Sequence, residues 1–379
     1  MRGGNARMKA AVYVKRGGRD VVAIADIEKP APKDNEVLIE VRAAAVNPLD
    51  CFHMPGVARV GVDVAGKVEA VGKNVSRFKA GNEVLGACLR NPQGWSFQAW
   101  TSQGAFAEYA CIPASVLVAK PANVAFEQAA CVPVAGLTAL QGLRDKGRVR
   151  AGQKVLINGA AGGVGTFAVQ IAKFFGAEVT GVCSTRNLEM VHSIGADQAI
   201  DYTQKDLTTM GERYDLIFDC VGNHSLSACR RVLSQKGILV LVGDKGGRGV
   251  SGMLARMLGA LILSRFVSQR LITLLAKPSR EDLAALADLM AAGKLIPVID
   301  KRYSLSEVPE AIAYLKEGHA RGKVLIMLGG EYGCVSQQKL DLFDFSAVYM
   351  AELRAGSEGR AERDGPAASV EHNAEPRTI

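Results

Sequence analysis

The stretch from Val155 to Lys173, V-L-I-N-G-A-A-G-G-V-G-T-F-A-V-Q-I-A-K, constrains this chain most. Val155 to Ile157 is a short apolar run that reads as a buried parallel strand. A glycine-rich turn follows at once, and an apolar helix then runs from Val164 to Phe175. In this order the three pieces make the first turn of a dinucleotide-binding βαβ unit. Gly162 lets the backbone come close to a pyrophosphate, and Gly165 lets the helix pack tightly on the strand. The helix start offers unpaired N–H groups and a partial positive charge to phosphate. Ala160 replaces the first glycine of G-x-G-x-x-G, so the local pattern is A-x-G-x-x-G. The turn alone also fits a glycine-rich helix start with no ligand.

The strands downstream decide between the two. From residue 153 strand and helix alternate, as a doubly wound parallel sheet requires. The predicted strands are 155–157, 178–182, 198–201, 214–219 and 237–242, with helices over 164–175, 188–194 and 225–233. The segment 253–276 is apolar, with Arg256, Arg265 and Arg270 spaced through it. It reads as a core-facing helix plus an edge strand, or as a subunit interface or a wall of the substrate cleft. The segment 281–292 is amphipathic, with a stop at Gly293.

Before this region, short strands alternate with glycine and proline corners over residues 8–121. This is the pattern of a compact, barrel-like β domain. Residues 126–144 read as two helices broken near Pro133. A strand over 297–303, a capped helix over 306–316 and a last strand over 323–328 could complete the β domain. Loop 88–104 holds both tryptophans, Trp95 and Trp100, with Phe97. Such a loop either lines a ligand site or packs on its own aromatics.

The chain has 379 residues and a net charge of +8. Beyond Gly330, nine acidic residues stand against five basic ones, leaving residues 1–330 at +12. A basic body suits a phosphate-rich cofactor. No basic run with interleaved aromatics supports a nucleic-acid surface. No apolar run is long enough to span a membrane, and the basic N-terminus lacks the apolar core of a secretory signal. The eight cysteines are scattered without a C-x-x-C pair, which points to a reducing cytoplasm. Residues 354–379 have the composition of a disordered tail.

Six motifs together carry a family resemblance. They are V-N-P-L-D over 46–50, G-V-D-V-A-G over 61–66 and G-L-T-A-L over 136–140. The others are N-G-A-A-G-G-V-G over 158–165, G-A-D over 195–197 with Asp201-Tyr202, and R-G-K-V over 321–324. The chain resembles the medium-chain dehydrogenase/reductase superfamily, in particular its zinc-independent quinone oxidoreductase (zeta-crystallin-like) branch, over about residues 8–328. The resemblance implies a Rossmann doubly wound parallel sheet inserted into a GroES-like β-rich catalytic domain. The expected segments are 1–122 and 295–330 for the catalytic domain, 123–294 for the cofactor domain, and a disordered tail over 331–379.

Zinc-dependent members of the superfamily place a cysteine where this chain has Asn47, and a His-Glu pair where it has Val62-Asp63. A catalytic zinc needs three Cys, His or carboxylate ligands. Cys51 and His53 stand nearby without a third partner at a suggestive spacing, so no metal is expected. Without a Lewis acid to hold an alkoxide, hydride delivery to an already electrophilic quinone or activated alkene is favoured over alcohol oxidation.

The second strand of the sheet ends V-C-S-T-R over 182–186, with no carboxylate until Glu189. An acid there would select NAD. Ser184 and Arg186 instead suit the 2′-phosphate of NADPH, and the resemblance adds Tyr202. The turn residues Ala161, Gly162, Gly163 and Val164 are expected to meet the pyrophosphate. The resemblance places Asn47 and Thr138 at the nicotinamide end, with Gly243 and Lys323 as further cofactor contacts. Asn47 also belongs to the catalytic candidates, with Asp50 and Tyr109 as nearby polar groups that could supply a proton. Asp63 is expected to hold the β domain together.

Two departures from relatives, a short 54–60 connection and a long 88–104 loop, leave the acceptor open. Two other readings remain. One is a zinc-independent alcohol or ketone dehydrogenase. The other is an NADPH-binding regulatory or nucleic-acid-binding protein with little turnover. A homodimer through residues 253–276 fits the apolar composition there.

Overall fold

The computed structural model describes residues 6–16, 19–51, 59–89, 104–243 and 249–329. All belong to one unit, Met1–Ser336. His53, the 54–58 part of the short connection, the aromatic loop from 90 to 103 and the segment 331–379 lie outside the described residues.

Six strands form a parallel sheet: β8 (Lys154–Asn158), β9 (Glu178–Cys183), β10 (Gln198–Asp201), β11 (Tyr214–Asp219), β12 (Leu233–Leu241) and β13 (Arg270–Thr273). Their order is β10-β9-β8-β11-β12-β13. The direction of winding therefore reverses between β8 and β11, where such sheets open a ligand crevice. Residues on each strand alternate between two cores. Val155 and Ile157 of β8 join one, with Phe167 of α3 (Gly163–Phe174). Leu156 joins the other, with Ile217 and Leu239. Burial on both faces explains why these strands read as unbroken apolar runs.

A second sheet holds seven strands. Its path is β14 (Ile299–Ser304), β15 (Lys323–Met327), β3 (Glu36–Val46), β4 (Asp63–Val71), β5 (Glu83–Ala87) and β7 (Leu117–Ala119), with β6 (Tyr109–Pro113) also paired to β3. Strands from both sides of the parallel sheet in sequence thus share one β-rich layer. A hairpin, β1 (Arg7–Arg16) with β2 (Arg19–Glu28), stands beside it.

Helix α1 (Phe126–Ala130) packs on β3 and β4. The break before α2 (Pro133–Gln141) falls at Pro133, whose fixed φ suits a first helical turn. Helices α4 (Leu188–Ser193) and α5 (Leu226–Arg231) follow β9 and β11, α6 (Gly249–Leu263) leads to the edge strand β13, and α7 (Arg280–Ala291) begins at the cap Ser279. Helix α8 (Val308–Lys316) precedes β15. No helix among the described residues is long and apolar enough to cross a membrane.

Candidate active site

Strands β15, β3 and β4 lie side by side, and their register pairs Val324 with Val46 and Ala45 with Asp63. Three polar side chains therefore meet at their ends: Asn47, Asp63 and Lys323, each buried. Lys323 Nζ donates to Asn47 Oδ1 at 2.7 Å and to Asp63 Oδ2 at 3.2 Å. Asn47 Nδ2 donates to Asp63 Oδ2 at 2.9 Å and to the Ala45 carbonyl at 3.2 Å. Both amide protons of Asn47 are committed within the protein. The other oxygen of Asp63 accepts from the Val134 N–H, in the first turn of α2, at 2.8 Å. Burial pushes the Asp63 carboxyl upward, opposed by the Lys323 ammonium, the Asn47 amide and the Val134 N–H. Asp63 thus joins three strands and a helix, matching its expected holding role.

Asp50 follows in a 3₁₀ turn, Pro48–Cys51. It is locked to Asn47 both ways: Asn47 N donates to Asp50 Oδ2 at 2.8 Å, and Asp50 N donates to the Asn47 carbonyl at 2.9 Å. Asp50 Oδ1 is buried with no hydrogen-bond partner among the described residues. Burial pushes this carboxyl up to about 7, and the Asp63 charge adds to that; the Asn47 and Gly61 N–H groups and Lys323 pull the other way. Tyr13 Oη donates to the Asp50 carbonyl at 3.3 Å, and burial pushes its phenol up to about 12. Burial likewise pushes the Cys51 thiol up to about 11, so it stays a thiol at neutral pH.

At the glycine turn, a Cβ on Gly165 would lie 2.0 Å from the Gly159 carbonyl oxygen. Helix-to-strand packing demands that glycine. Gly162 differs. A Cβ there would meet only the Gly159 oxygen, at 3.4 Å, and the backbone φ is −85°. No protein neighbour requires glycine at 162, and it caps α3 without a side chain. The first N–H groups of α3, from Gly163 and Val164 onward, lack intrahelical acceptors. An open approach and uncapped amides fit a diphosphate. Ala161 lends its carbonyl to Gly322 N at 2.8 Å, and the Lys323 stem passes over Gly163. The turn therefore abuts the polar cluster.

At the end of β9, Ser184 accepts from Asn187 Nδ2 at 3.1 Å. Arg186 is exposed, and its NH2 donates to the His319 carbonyl at 2.7 Å. Tyr202, 54% exposed, follows β10, and its N–H donates to the Cys183 carbonyl. The structure brings these three to one end of the sheet. It also brings a carboxylate that the reading along β9 lacks. Asp201 lies opposite Cys183 in the β9–β10 register and accepts from the Thr185 hydroxyl at 2.5 Å. That hydroxyl and the Thr203 hydroxyl and N–H hold its carboxyl below the ordinary range. The acid comes from the neighbouring strand, a pairing that sequence order does not display.

Thr138 lies one turn beyond Val134, and its hydroxyl donates to the Val134 carbonyl at 2.7 Å. Gly243 lies beyond the end of β12, and a Cβ there would come 2.0 Å from the Cys220 carbonyl oxygen, so strand packing alone requires it. Tyr109 is not brought to the cluster. It pairs with Glu40 on β3, seven residues before Asn47, and at about 3.3 Å per residue this is roughly 20 Å away. The Lys29 ammonium sits 3.5 Å over its ring. At the β8–β11 crevice, sequence reading missed a further network. Asn158 Nδ2 donates to Asp219 at 2.8 Å, and Arg256 pairs with the other Asp219 oxygen at 2.9 Å. Among the described residues no group of three or more His, Cys, Asp or Glu side chains is placed to hold a metal ion.

A parallel sheet with an uncapped glycine turn, joined to a β-rich layer whose polar cluster abuts that turn, defines a nicotinamide-dependent oxidoreductase. The comparisons with known proteins agree. Residues 33–122 match the alcohol dehydrogenase GroES-like domain model, and residues 194–326 match the zinc-binding dehydrogenase model. The chain is 33% identical to the chloroplast envelope quinone oxidoreductase homolog of Arabidopsis thaliana, over 82% of this chain and 95% of that protein. It is 34% identical to the NADPH-dependent alkenal/one oxidoreductase of the same plant, over 84% and 79%. It is 31% identical to human quinone oxidoreductase, over 86% and 99%. Among solved structures, the quinone oxidoreductase from Coxiella burnetii superposes with a TM-score of 0.73 at 28% identity, over 86% of this chain and all of that one. The chain belongs to the medium-chain dehydrogenase/reductase superfamily, among its quinone oxidoreductases.

Proposed function

We propose that the chain reduces a quinone or an activated alkene with NADPH, without a catalytic zinc ion. The observation that carries this reading is the closed cluster at Asn47, Asp63 and Lys323. Zinc-dependent relatives carry metal ligands at the positions of Asn47 and of Val62-Asp63. In this chain a carboxamide, an apolar side chain and a carboxylate stand there, and an ammonium is bonded to both polar groups. An ammonium and a dication would compete for the same oxygens. The names of the alkenal/one and quinone oxidoreductase relatives support the acceptor class.

Bound NADPH would supply hydride from C4 of its nicotinamide. The rest falls to the protein. Ala161, Gly162, Gly163 and Val164 hold the diphosphate against the tip of α3. Arg186, Ser184 and Tyr202 take the 2′-phosphate, with Asp201 tied back by Thr185 and Thr203. Asn47 and Thr138 border the nicotinamide end and keep it oriented, which supplies most of the catalysis. Asp50 holds a proton for the carbon or oxygen that gains negative charge. Hydride and proton together reduce the acceptor and leave NADP⁺. Residues 1–122 and 295–330 serve as the catalytic part and 123–294 as the cofactor part. The scattered cysteines, with no C-x-x-C pair, support a reducing cytoplasm. A homodimer would cover the outer edge of β13 and the exposed Leu258, Leu261, Ile262 and Phe266.

The test is NADPH oxidation over 1,2-quinones, 1,4-quinones, enones and secondary alcohols, with and without a chelator. Quinones or enones should turn over equally in both series. Turnover of alcohols alone, or activity lost to the chelator, would overturn the reading.

A further inference from the structure

Lys323 was expected to touch the cofactor, yet its ammonium is spent elsewhere. It is 2% exposed and bonded to side chains 276 and 260 residues earlier in the chain. We propose that Lys323 is a positioning residue: its ammonium acts as the fixed cation of the site, working through Asn47 and Asp50 rather than on the cofactor itself. The proposal rests on the reading above, in which Asn47 and Asp50 serve the reaction.

One chain of contacts links Lys323 to Asp50. The Val134 N–H at the start of α2 holds one Asp63 oxygen, and Lys323 and Asn47 share the other. Lys323 also takes the Asn47 side-chain oxygen Oδ1, while both Asn47 amide protons are committed to Asp63 and Ala45. The carboxamide therefore cannot turn without breaking its hydrogen bonds to the two charged groups. The Asn47 backbone in turn fixes Asp50 from both sides. Two carboxylates and one ammonium share this buried space. If Asp63 balances Lys323, a charge on Asp50 is left unbalanced, so Asp50 retains its proton. Among the described residues, the groups that face Asp50 are Asp63 on β4, Lys323 on β15, Tyr13 on β1, Cys51 in its own turn and the Asn47 and Gly61 amides. Lys316 of α8 acts on Cys51. Of these, Lys323 is the positive charge that acts on Asp50 itself.

The test uses the full chain, with Lys323→Met and the double variant Asp63→Asn/Lys323→Met. Difference infrared titration of the cofactor-free protein follows the Asp50 carboxylic acid band, identified by its loss in Asp50→Asn. Without the ammonium, Asp50 should bind its proton about tenfold more tightly, and the band should persist to higher pH. An unchanged midpoint overturns the proposal. The double variant is neutral at the pair and guards against misfolding of the single one. Its thermal midpoint should return to near the wild-type value, its NADPH Kd should stay within about threefold, and its kcat should remain down by about tenfold or more. Recovery of kcat together with stability would make the pair merely structural and overturn the proposal. Failure of every acceptor with the wild-type chain would instead sink the quinone-reductase reading, and the infrared titration would still decide the role of Lys323.

Discussion

Asp50 is fully enclosed, and its carboxyl is raised to about 7 by burial and by the nearby Asp63 charge. If it supplies a proton, kcat should be level below pH 7 and fall as pH rises beyond it. Asp50→Asn should flatten that fall and lower kcat by about 10² or more, as loss of a general acid does. The same group links stability to pH. Its folded value exceeds its unfolded one, so its contribution is complete below about pH 4 and is lost as pH rises toward 7. Denaturant midpoints of Asp50→Asn should lose that slope. In the proposed reading, Arg186 and Asp201 act in opposite senses at the 2′-phosphate site. Arg186→Ala should raise KM for NADPH by about tenfold and leave NADH nearly unchanged. Asp201→Asn should move the preference further toward NADPH. Equal changes with both coenzymes would remove Arg186 from the 2′-phosphate site.

Helix α3 shows how far local sequence reaches. Gly162 and Gly165 stand in one turn but answer to different demands. Gly165→Ala should lower the thermal midpoint, because its Cβ collides with the Gly159 carbonyl. Gly162→Ala should keep the midpoint within a few degrees and weaken NADPH binding by about tenfold, or about 1.4 kcal/mol. Calorimetry and a binding titration separate the two. The parallel sheet was legible for the same reason as this turn. Each strand and helix signals itself within a dozen residues, and 198–201 and 214–219 match β10 and β11 end to end. The cluster was legible only in part. Asn47, Asp50 and Lys323 were marked by motifs, but the bonds from Lys323 to Asn47 and Asp63 depend on β15 lying between β14 and β3. Nothing local encodes that pairing. Asp201 stood in a motif, but its place beside Thr185 depends on the β9–β10 register, and Tyr109 pairs near the middle of β3, seven residues before Asn47.

At the scale of the whole molecule, β13 is an edge strand, and Phe266 beside it is 80% exposed. Such a patch marks an interaction surface. Phe266→Asp should shift the chain from dimer to monomer in sedimentation while the fold persists; a wild-type monomer would discard the dimer. The most direct measurement follows deuterium from C4-labelled NADPH into an enone, using protein dialysed against a chelator. The product should carry one deuterium on the β-carbon and a solvent proton on the α-carbon, and the rate should be unaffected by dialysis. An unlabelled product, or a rate restored only by adding zinc, would contradict zinc-free hydride transfer from NADPH.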